Sequence, residues 1–229
     1  MATSDVTSWE LNRNEFIEAA YRKLGVPGEG NTLSTAQYED GLEALNSAIA
    51  LAQTDGMSLW KRTTSSQTPS TTSQVYTLAN AVKIAAVFLR DTDGTQYELE
   101  HKSLYDFMRL PRGSVGVPVH WTWAPSIEGG TVSIWPLTSD STTVSTKTIQ
   151  IVYQKEFDGF STTTTHTADF PAYWNAALVY RTAILLAPEV GVSLEDRKDL
   201  KNDAAALWKA ATDYGDEDGS LYIQPNRHY

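Results

Sequence analysis

The sequence predicts an α+β protein, in which helices from both ends of the chain form one four-helix bundle and a small antiparallel β domain is inserted between them. Apolar residues recur at helical spacing near both ends, and short runs rich in Val, Ile, Tyr and Trp fill the middle. The predicted boundaries are 1–57 and 168–215 for the bundle, 58–167 for the β domain and 216–229 for an extended C-terminal arm.

Two amphipathic helices are predicted before residue 54. In the first, apolar residues recur every four positions, and Gly25 followed by Pro27 is typical of a helix end. Residues 34–37 form a capping box, in which Ser34 and Gln37 satisfy free backbone N–H groups at the start of the second helix. The apolar stripe of the second helix consists of Tyr38, Leu42, Leu45, Ile49 and Ala52.

The middle of the chain is predicted to form about six short strands, arranged as a small antiparallel sheet or sandwich. The pair Asp93-Gly94 marks a hairpin turn. Residues 62–74 are crowded with Ser and Thr and are predicted to form a long exposed loop. The predicted strands are 75–78, 82–90, 97–101, 117–124, 131–137 and 147–155.

Two further helices are predicted after residue 168. Pro171 suits the start of the first one, and Pro188 with Gly191 ends it. Residues 193–196 resemble a second capping box, with Asp in the place of Glu. None of these helices could bury its apolar stripe alone, so the two pairs are expected to pack together. The last stripe consists of Leu200, Ala204, Leu207, Ala211 and Tyr214.

The composition restricts the classes of function. A chain of 229 residues that is 41% hydrophobic can bury a sizeable core. The net charge of −10 makes it a poor wrapper of nucleic acid, because phosphates attract Lys and Arg. The absence of cysteine excludes disulfides, thiolate zinc sites and cysteine nucleophiles. Neither a signal peptide nor a membrane span is predicted.

No motif for catalysis, metal or cofactor binding is present, and no cofactor is expected. The histidines stand alone at positions 101, 120, 166 and 228, which favours structural roles. Residues 216–219 resemble part of a calcium loop, but Tyr214 and Pro225 then stand where ligands are needed. The carboxylates Glu98, Glu100, Asp106 and Glu128 could supply a glycosidase pair, although any acidic chain offers as many.

Three tryptophans of the β region leave two interpretations open. Trp121 and Trp123 are expected to share one strand face, and Trp135 lies on a neighbouring predicted strand. Exposed, they would form a stacking platform for sugars, whereas buried they would belong to the core. The core is the favoured interpretation.

The order of these segments resembles the head-to-tail adaptor family of tailed bacteriophages, also called tail accessory or head-completion proteins, especially those of short-tailed phages. The resemblance covers most of the chain, and the Ser/Thr-rich loops are the main departure from it. It is carried by RNEFIEAAYRKLGV (13–26), ALNSAIALAQTDGMSLWKR (44–62), VYTL (75–78), GVPVHWTW (116–123), VSIWPL (132–137), IQIVYQKE (149–156), FPAYWNAALVYRTAILLAPEVGV (170–192) and LYIQP (221–225).

The resemblance implies a structural role in a virion rather than an enzymatic one. Such adaptors form a homo-oligomeric ring, usually of twelve copies, below the portal protein. The ring extends the DNA channel and docks a tail nozzle or tail tube protein, and DNA passes through without specific binding. The implied location is the virion neck, after assembly in the host cytoplasm, with no membrane involved.

Two sets of residues follow as candidate sites. The segment Leu221, Tyr222, Ile223, Pro225, Arg227 and Tyr229 is expected to be an arm that docks on the portal or on a neighbouring subunit, and the alternative is that it folds back on its own subunit. The acidic residues Glu195, Asp196, Asp199 and Asp203 are expected to face the lumen, in a stretch (189–218) that holds nine acidic and four basic residues. The alternatives are a glycan-binding virion module that uses the tryptophans and, less favoured, a tail enzyme that degrades cell wall.

Overall fold

The computed structural model describes residues 10–26, 32–54, 59–138, 146–162 and 167–215. The chain divides into two compact units. The helical unit takes Met1–Leu59 and Phe157–Tyr229, and the β unit takes Trp60–Glu156. The helices in chain order are α1 (Arg13–Lys23), α2 (Thr35–Ala52), α3 (Leu104–Met108), α4 (Asn175–Leu186) and α5 (Leu194–Gly215), and only α3 belongs to the β unit.

Capping residues set the ends of the helices. The predicted capping box at the start of α2 is confirmed: the Ser34 hydroxyl accepts from the Gln37 N–H at 3.3 Å, and the Gln37 side chain accepts from the Ser34 N–H at 2.8 Å. A second box, between Asn12 and Glu15 at the start of α1, was not predicted. Gly25 follows the end of α1 with φ of +74°, a conformation that glycine adopts without strain.

Helix α4 is the centre of the helical unit. It packs against α1, α2 and α5, and α1 also packs against α2. The prediction that the N-terminal and C-terminal helices pack together is therefore confirmed. Leu178 and Ala183 of α4, Phe16 of α1 and Leu45 of α2 are fully buried. Burial of such side chains supplies most of the stability of helices that would be marginal alone.

Side chains of α1 and α2 also form hydrogen bonds with the backbone of the segment that follows the β unit. The Asn46 amide donates to the Phe160 carbonyl at 3.0 Å and accepts from the Phe160 N–H at 2.8 Å. The Arg13 guanidinium donates to the Thr162 carbonyl at 2.6 Å. These contacts link residues more than 110 positions apart, which holds both ends of the chain in one unit.

The β unit contains two four-stranded sheets. Their strand orders are β1-β8-β3-β4 and β2-β7-β6-β5, and all pairs are antiparallel except β5 with β6. The strands are β1 (Arg62–Gln67), β2 (Val75–Ala79), β3 (Ala81–Asp91), β4 (Gln96–Glu98), β5 (Glu100–His101), β6 (His120–Ser126), β7 (Gly129–Trp135) and β8 (Lys147–Lys155).

Both sheets contribute to one hydrophobic core, so the arrangement is a sandwich. Val87 of β3 and Ile151 of β8 come from one sheet, and Val132 of β7 with Trp121 of β6 come from the other. The alternation predicted for residues 147–155 is confirmed, since Ile149 and Ile151 are fully buried. The predicted hairpin is also confirmed, since Gly94 lies in the turn between β3 and β4 with φ of +92°.

Three predictions for this unit were wrong. Residues 62–67, part of the predicted exposed loop, form the edge strand β1, whose backbone pairs with β8 over its whole length. The single strand predicted over residues 97–101 is divided, because buried Leu99 separates β4 and β5, which belong to different sheets. The sheets were expected to be purely antiparallel, whereas β5 pairs with β6 in parallel and the connection between them contains α3.

An ion pair between Asp91 and Lys147 closes one end of the β3–β8 pair. The hydrogen bond from Lys147 lowers the pKa of Asp91 below its ordinary 3.8. As the pH falls, the unfolded chain binds this proton at a higher pH than the folded protein does. The stabilisation by the ion pair is therefore complete above about pH 3.8, and it is lost as the pH drops through the lowered pKa of the folded state.

Asp91→Asn is therefore expected to make the unfolding free energy depend less on pH in the acid range. Between about pH 5 and about pH 2, its unfolding free energy should decline less than that of the parent protein. Asp93→Asn is the matched control, because Asp93 accepts from the Thr95 N–H in the same turn and its replacement leaves the ion pair in place. Urea unfolding at a series of pH values measures the effect, and an identical dependence on pH for Asp91→Asn and the parent would contradict it.

Candidate functional site

The predicted acidic residues form a stripe along the exposed side of α5. Glu195, Asp196, Asp199 and Asp203 are all exposed. On an ideal helix they fall within an arc of about 100°. Exposed Asp213 lies in the same arc, two turns and more beyond Asp203. We call these five residues the acidic stripe.

The opposite side of α5 anchors the helix and so orients the acidic stripe. Ala204, Trp208 and Ala211 are buried. The Trp208 ring meets the Trp174 ring edge-on at 5.0 Å, and the guanidinium of Arg181 lies 4.8 Å from the centroid of the Trp208 ring. Because these contacts are large and directional, α5 has one rotational setting about its axis.

Basic residues of α5 lie outside the acidic arc, and Lys198 and Lys209 border it at i,i+3 and i,i+4 spacing from Glu195 and Asp213. Lys198, Lys201 and Lys209 are exposed but fall outside the acidic arc at helical spacing. Arg197 turns to the start of the helix, where its Nε–H donates to the Val192 carbonyl at 2.9 Å. The arc itself therefore holds only acidic charges, and lysines lie along one of its edges.

The proposed docking arm lies outside the described residues. All six of its residues, from Leu221 to Tyr229, follow the last described position, Gly215. Its role stays a prediction.

The tryptophans of the β unit do not form one platform. Trp121 pairs with Ile134 and Trp123 with Val132 on the core side, since directly opposed residues of an antiparallel pair share a face. Trp121 is 5% exposed and its indole N–H donates to the Leu99 carbonyl at 3.0 Å. The core interpretation is therefore confirmed for Trp121. Trp123 packs partly buried against the same core.

Trp135 lies on the other face, opposite His120. The two rings stack with centroids 5.6 Å apart, and the Trp135 indole N–H donates to the Pro111 carbonyl at 3.0 Å. His101 packs similarly on Trp121 at 4.5 Å. These two histidines thus have the structural role that the sequence favoured, and His166 and His228 lie outside the described residues.

The candidate carboxylates are engaged separately. Glu100 accepts from the Lys102 ammonium at 2.5 Å, which lowers the pKa of Glu100 and keeps it ionised at neutral pH. A general acid needs the opposite shift. Asp106 accepts from the Ser103 hydroxyl at 2.7 Å at the start of α3. Glu98 lies on β4, in the other sheet from Glu100.

Two searches of the described ranges complete the description of the site. No three His, Asp or Glu side chains among those residues are grouped so as to hold a metal ion. No helix there is long and apolar enough to cross a lipid bilayer.

Sequence reasoning missed an exposed apolar surface on the connection from β5 to β6. Tyr105 and Met108 of α3 are 72% and 62% exposed, and Val115 and Val117 further along are also exposed. The sequence does show apolar residues just before Pro111 and between Pro111 and Pro118. Their exposure could not be inferred, because it depends on β5 ending after two residues and leaving them in a connection.

Comparisons with known proteins yield structural likenesses at low identity. No protein-family model matches the chain, and no curated protein matches it. One similar chain is from the "Neck of empty GTA particle computed with C6 symmetry", at 15% identity and a TM-score of 0.29, covering 72% of this chain and 74% of that one. Another is from the "Virion of native gene transfer agent (GTA) particle", at 14% identity and a TM-score of 0.31, covering 92% of each. These likenesses, to components of gene transfer agent particles, are at a level that assigns neither family nor role.

Proposed function

We propose that this protein is a structural component of the neck of a phage-like virion, and that it acts there as a head-to-tail adaptor. Copies of the chain, twelve in our proposal, assemble into a ring below a portal protein. The ring continues the DNA channel and presents a face to a tail nozzle or tail tube protein. Two things support the proposal: the sequence segments that resemble such adaptors, and the acidic stripe of α5.

The acidic stripe is the observation that carries the proposal. A helix that lines a DNA channel must let phosphates pass without binding them, and a surface of carboxylates meets this need by repulsion. Glu195, Asp196, Asp199 and Asp203 present this surface, and the exposed lysines of the same helix fall outside it. Because the Trp208 side of α5 is packed against α4, the stripe is free to face a channel.

The segment 221–229 completes the proposal as a docking arm. Its apolar and aromatic residues would become buried on the portal or on a neighbouring subunit, and Arg227 would supply a charged contact. A short segment of this kind can wrap over a partner surface when it docks.

Imaging of the protein bound to its portal tests the proposal directly. We expect a ring of identical chains coaxial with the portal, with the acidic stripe facing the channel and residues 221–229 in contact with the portal or a neighbour. A portal that binds no ring, or a ring in which α5 faces outward, would overturn it.

Reversing the charge of the stripe gives a prediction for function. In portal-bound rings, Asp196→Lys with Asp199→Lys and Asp203→Lys should raise the affinity for a short DNA duplex by roughly tenfold or more at low salt. The reason is that lysines in the channel wall bind phosphates and release counterions. Filter retention of labelled duplex across a salt series measures the change, and its salt slope should steepen.

A matched control is available on α2. Glu39, Asp40 and Glu43 are exposed, and their replacement by lysine changes the net charge by the same amount. We expect a smaller gain in retention and a shallower salt slope for this control. Equal gains from the two triple variants would show that the stripe has no special relation to the DNA path.

A further inference from the structure

A groove runs between α1 and α4 on the helical unit, with a volume of about 520 Å³. Its floor is apolar and consists of side chains from both helices and from Leu11, two residues before the start of α1. A groove of this size and lining can accept a short apolar peptide segment. The apolar lining residues are Leu11, Ala19, Ala176, Val179 and Tyr180.

Charged residues edge this groove, with cations in excess. Arg22 and Lys23 lie near the end of α1, and Glu15 lies about two turns before them. The Lys23 ammonium is 4.8 Å from the centroid of the Tyr180 ring, so one cation already lies over the groove. An occupant that carries acidic residues next to an apolar run would match both features.

The end of α5 lies beside this groove. The Tyr214 ring meets the Tyr173 ring edge-on with centroids 4.8 Å apart. Tyr173 precedes Asn175, which lines the groove, by only two residues. The chain therefore leaves the described structure, at Gly215, close to one end of the α1–α4 groove.

The next residues of the chain have the required composition. Asp216, Glu217 and Asp218 come first, and the apolar residues Leu221, Tyr222 and Ile223 follow. Six residues in extended conformation span about 20 Å, so Leu221 is within reach of the groove without any change in the helices.

We infer that, in the free subunit, residues 221–229 occupy the α1–α4 groove of their own chain. Leu221, Tyr222 and Ile223 supply the apolar contacts as the segment enters from the Asn175 end of the groove. Connection through a short segment gives an effective concentration in the millimolar range, so modest contacts suffice for occupancy. A portal or a neighbouring subunit would then have to displace the arm from this groove. Docking would shift the arm from the groove-bound population to the docked one.

Disulfide trapping in the full-length chain tests the inference, because the sequence contains no cysteine of its own. Ala176→Cys is combined in turn with Leu221→Cys, Tyr222→Cys and Ile223→Cys. A disulfide requires Cα atoms within about 7 Å, so the best pair also reports the register of the segment. At least one pair should form an intrachain bond in most molecules at low protein concentration, detected by gel mobility and intact mass.

Ala50→Cys paired with the same three positions is the matched control. Ala50 is an exposed alanine on α2, beside a shallower depression of the same unit. We expect little cross-linking from it. Interchain dimers from the Ala176 pairs would identify a second copy as the occupant, and equal yields from Ala50, or no bond at all, would show that the groove does not hold the segment. Each of these outcomes overturns the inference.

Hydrogen exchange supplies a second measurement without any covalent trap. The double variant Leu221→Asp with Ile223→Asp should accelerate exchange roughly threefold or more in peptides that cover 15–23 and 175–180, and leave peptides of α2 unchanged. The N-terminal segment is the competing occupant, since Trp9 lies two residues before Leu11. If Trp9→Ala removed the protection and the double variant did not, the inference would be wrong.

These experiments contain no portal, so their failure is separate from failure of the proposed function. Rings on the portal without an intrachain bond in the free subunit would overturn only the groove contact. An intrachain bond without rings would overturn only the adaptor role.

Discussion

Replacing Gly129 by alanine is expected to destabilise the β unit by about 3 kcal/mol or more. Gly129 is the first residue of β7 and has φ of +128°, a backbone region that is strained for any residue with a side chain. An alanine Cβ there would lie 2.1 Å from the Leu78 carbonyl oxygen and 2.9 Å from the Asn80 nitrogen. Both contacts are to backbone, so they cannot be relieved by rotation of a side chain.

Gly94→Ala separates the two causes of this loss. Gly94 also has positive φ, at +92°, but nothing lies within 4 Å of the place where its Cβ would be. Its replacement should cost only the strain of the backbone, about 1–2 kcal/mol. Urea unfolding combined with hydrogen exchange of the β2 and β7 peptides measures both variants. Equal losses would show that the close approach of β7 to the turn after β2 contributes nothing.

Gly41→Ala is expected to destabilise the helical unit by about 1–3 kcal/mol, although glycine is itself unfavourable within a helix. Gly41 lies in α2 where that helix approaches α1, and an added Cβ would lie 2.4 Å from Cγ2 of Ile17. Ile17 is fully buried and β-branched, so it has no alternative rotamer that would clear the space. The steric cost therefore exceeds the gain in helix propensity, which is about 1 kcal/mol.

A double-mutant cycle tests whether contact with Ile17 causes this loss of stability, because the effect of Gly41→Ala should change sign when Ile17 is removed. In the Ile17→Ala background the obstructing atom is gone, so Gly41→Ala should stabilise the helical unit by about 1 kcal/mol relative to Ile17→Ala alone. Ser47→Ala, at an exposed position of the same helix, controls for a plain change in propensity. If Gly41→Ala were destabilising by the same amount in both backgrounds, contact with Ile17 would not be the cause.

Features that local sequence determines were predicted well. The start of α2 follows from Ser34 and Gln37, because a capping box involves residues only three positions apart. β8 follows from the alternation that buries Ile149 and Ile151, although the alternation does not continue to Gln154, which is also buried. The turn at Gly94 follows from its dipeptide. The acidic stripe is of the same kind, since the helical period alone places its members on one side of α5.

Features that depend on distant pairing could not be predicted. Residues 62–67 show no apolar alternation, and they form a strand only because β8, more than 80 positions later, supplies hydrogen-bond partners. Likewise the run from Tyr97 to His101 looks continuous, but Leu99 enters the core between two strands of different sheets. The face on which Trp135 lies depends on the β6–β7 register, because a slip of one residue would move every side chain of the strand to the other face.

The division of the chain between the two units has a consequence for synthesis. The β unit is a continuous stretch that ends at Glu156, so all of its strands have been synthesised before α4 and α5. At about 5–20 residues per second, several seconds separate the last strand from the end of α5. During that time α1 and α2 lack the helix around which they pack, and their apolar sides are available to chaperones. Nascent-chain folding should therefore proceed from the middle of the polypeptide outward, with the first-translated helices among the last to become stable.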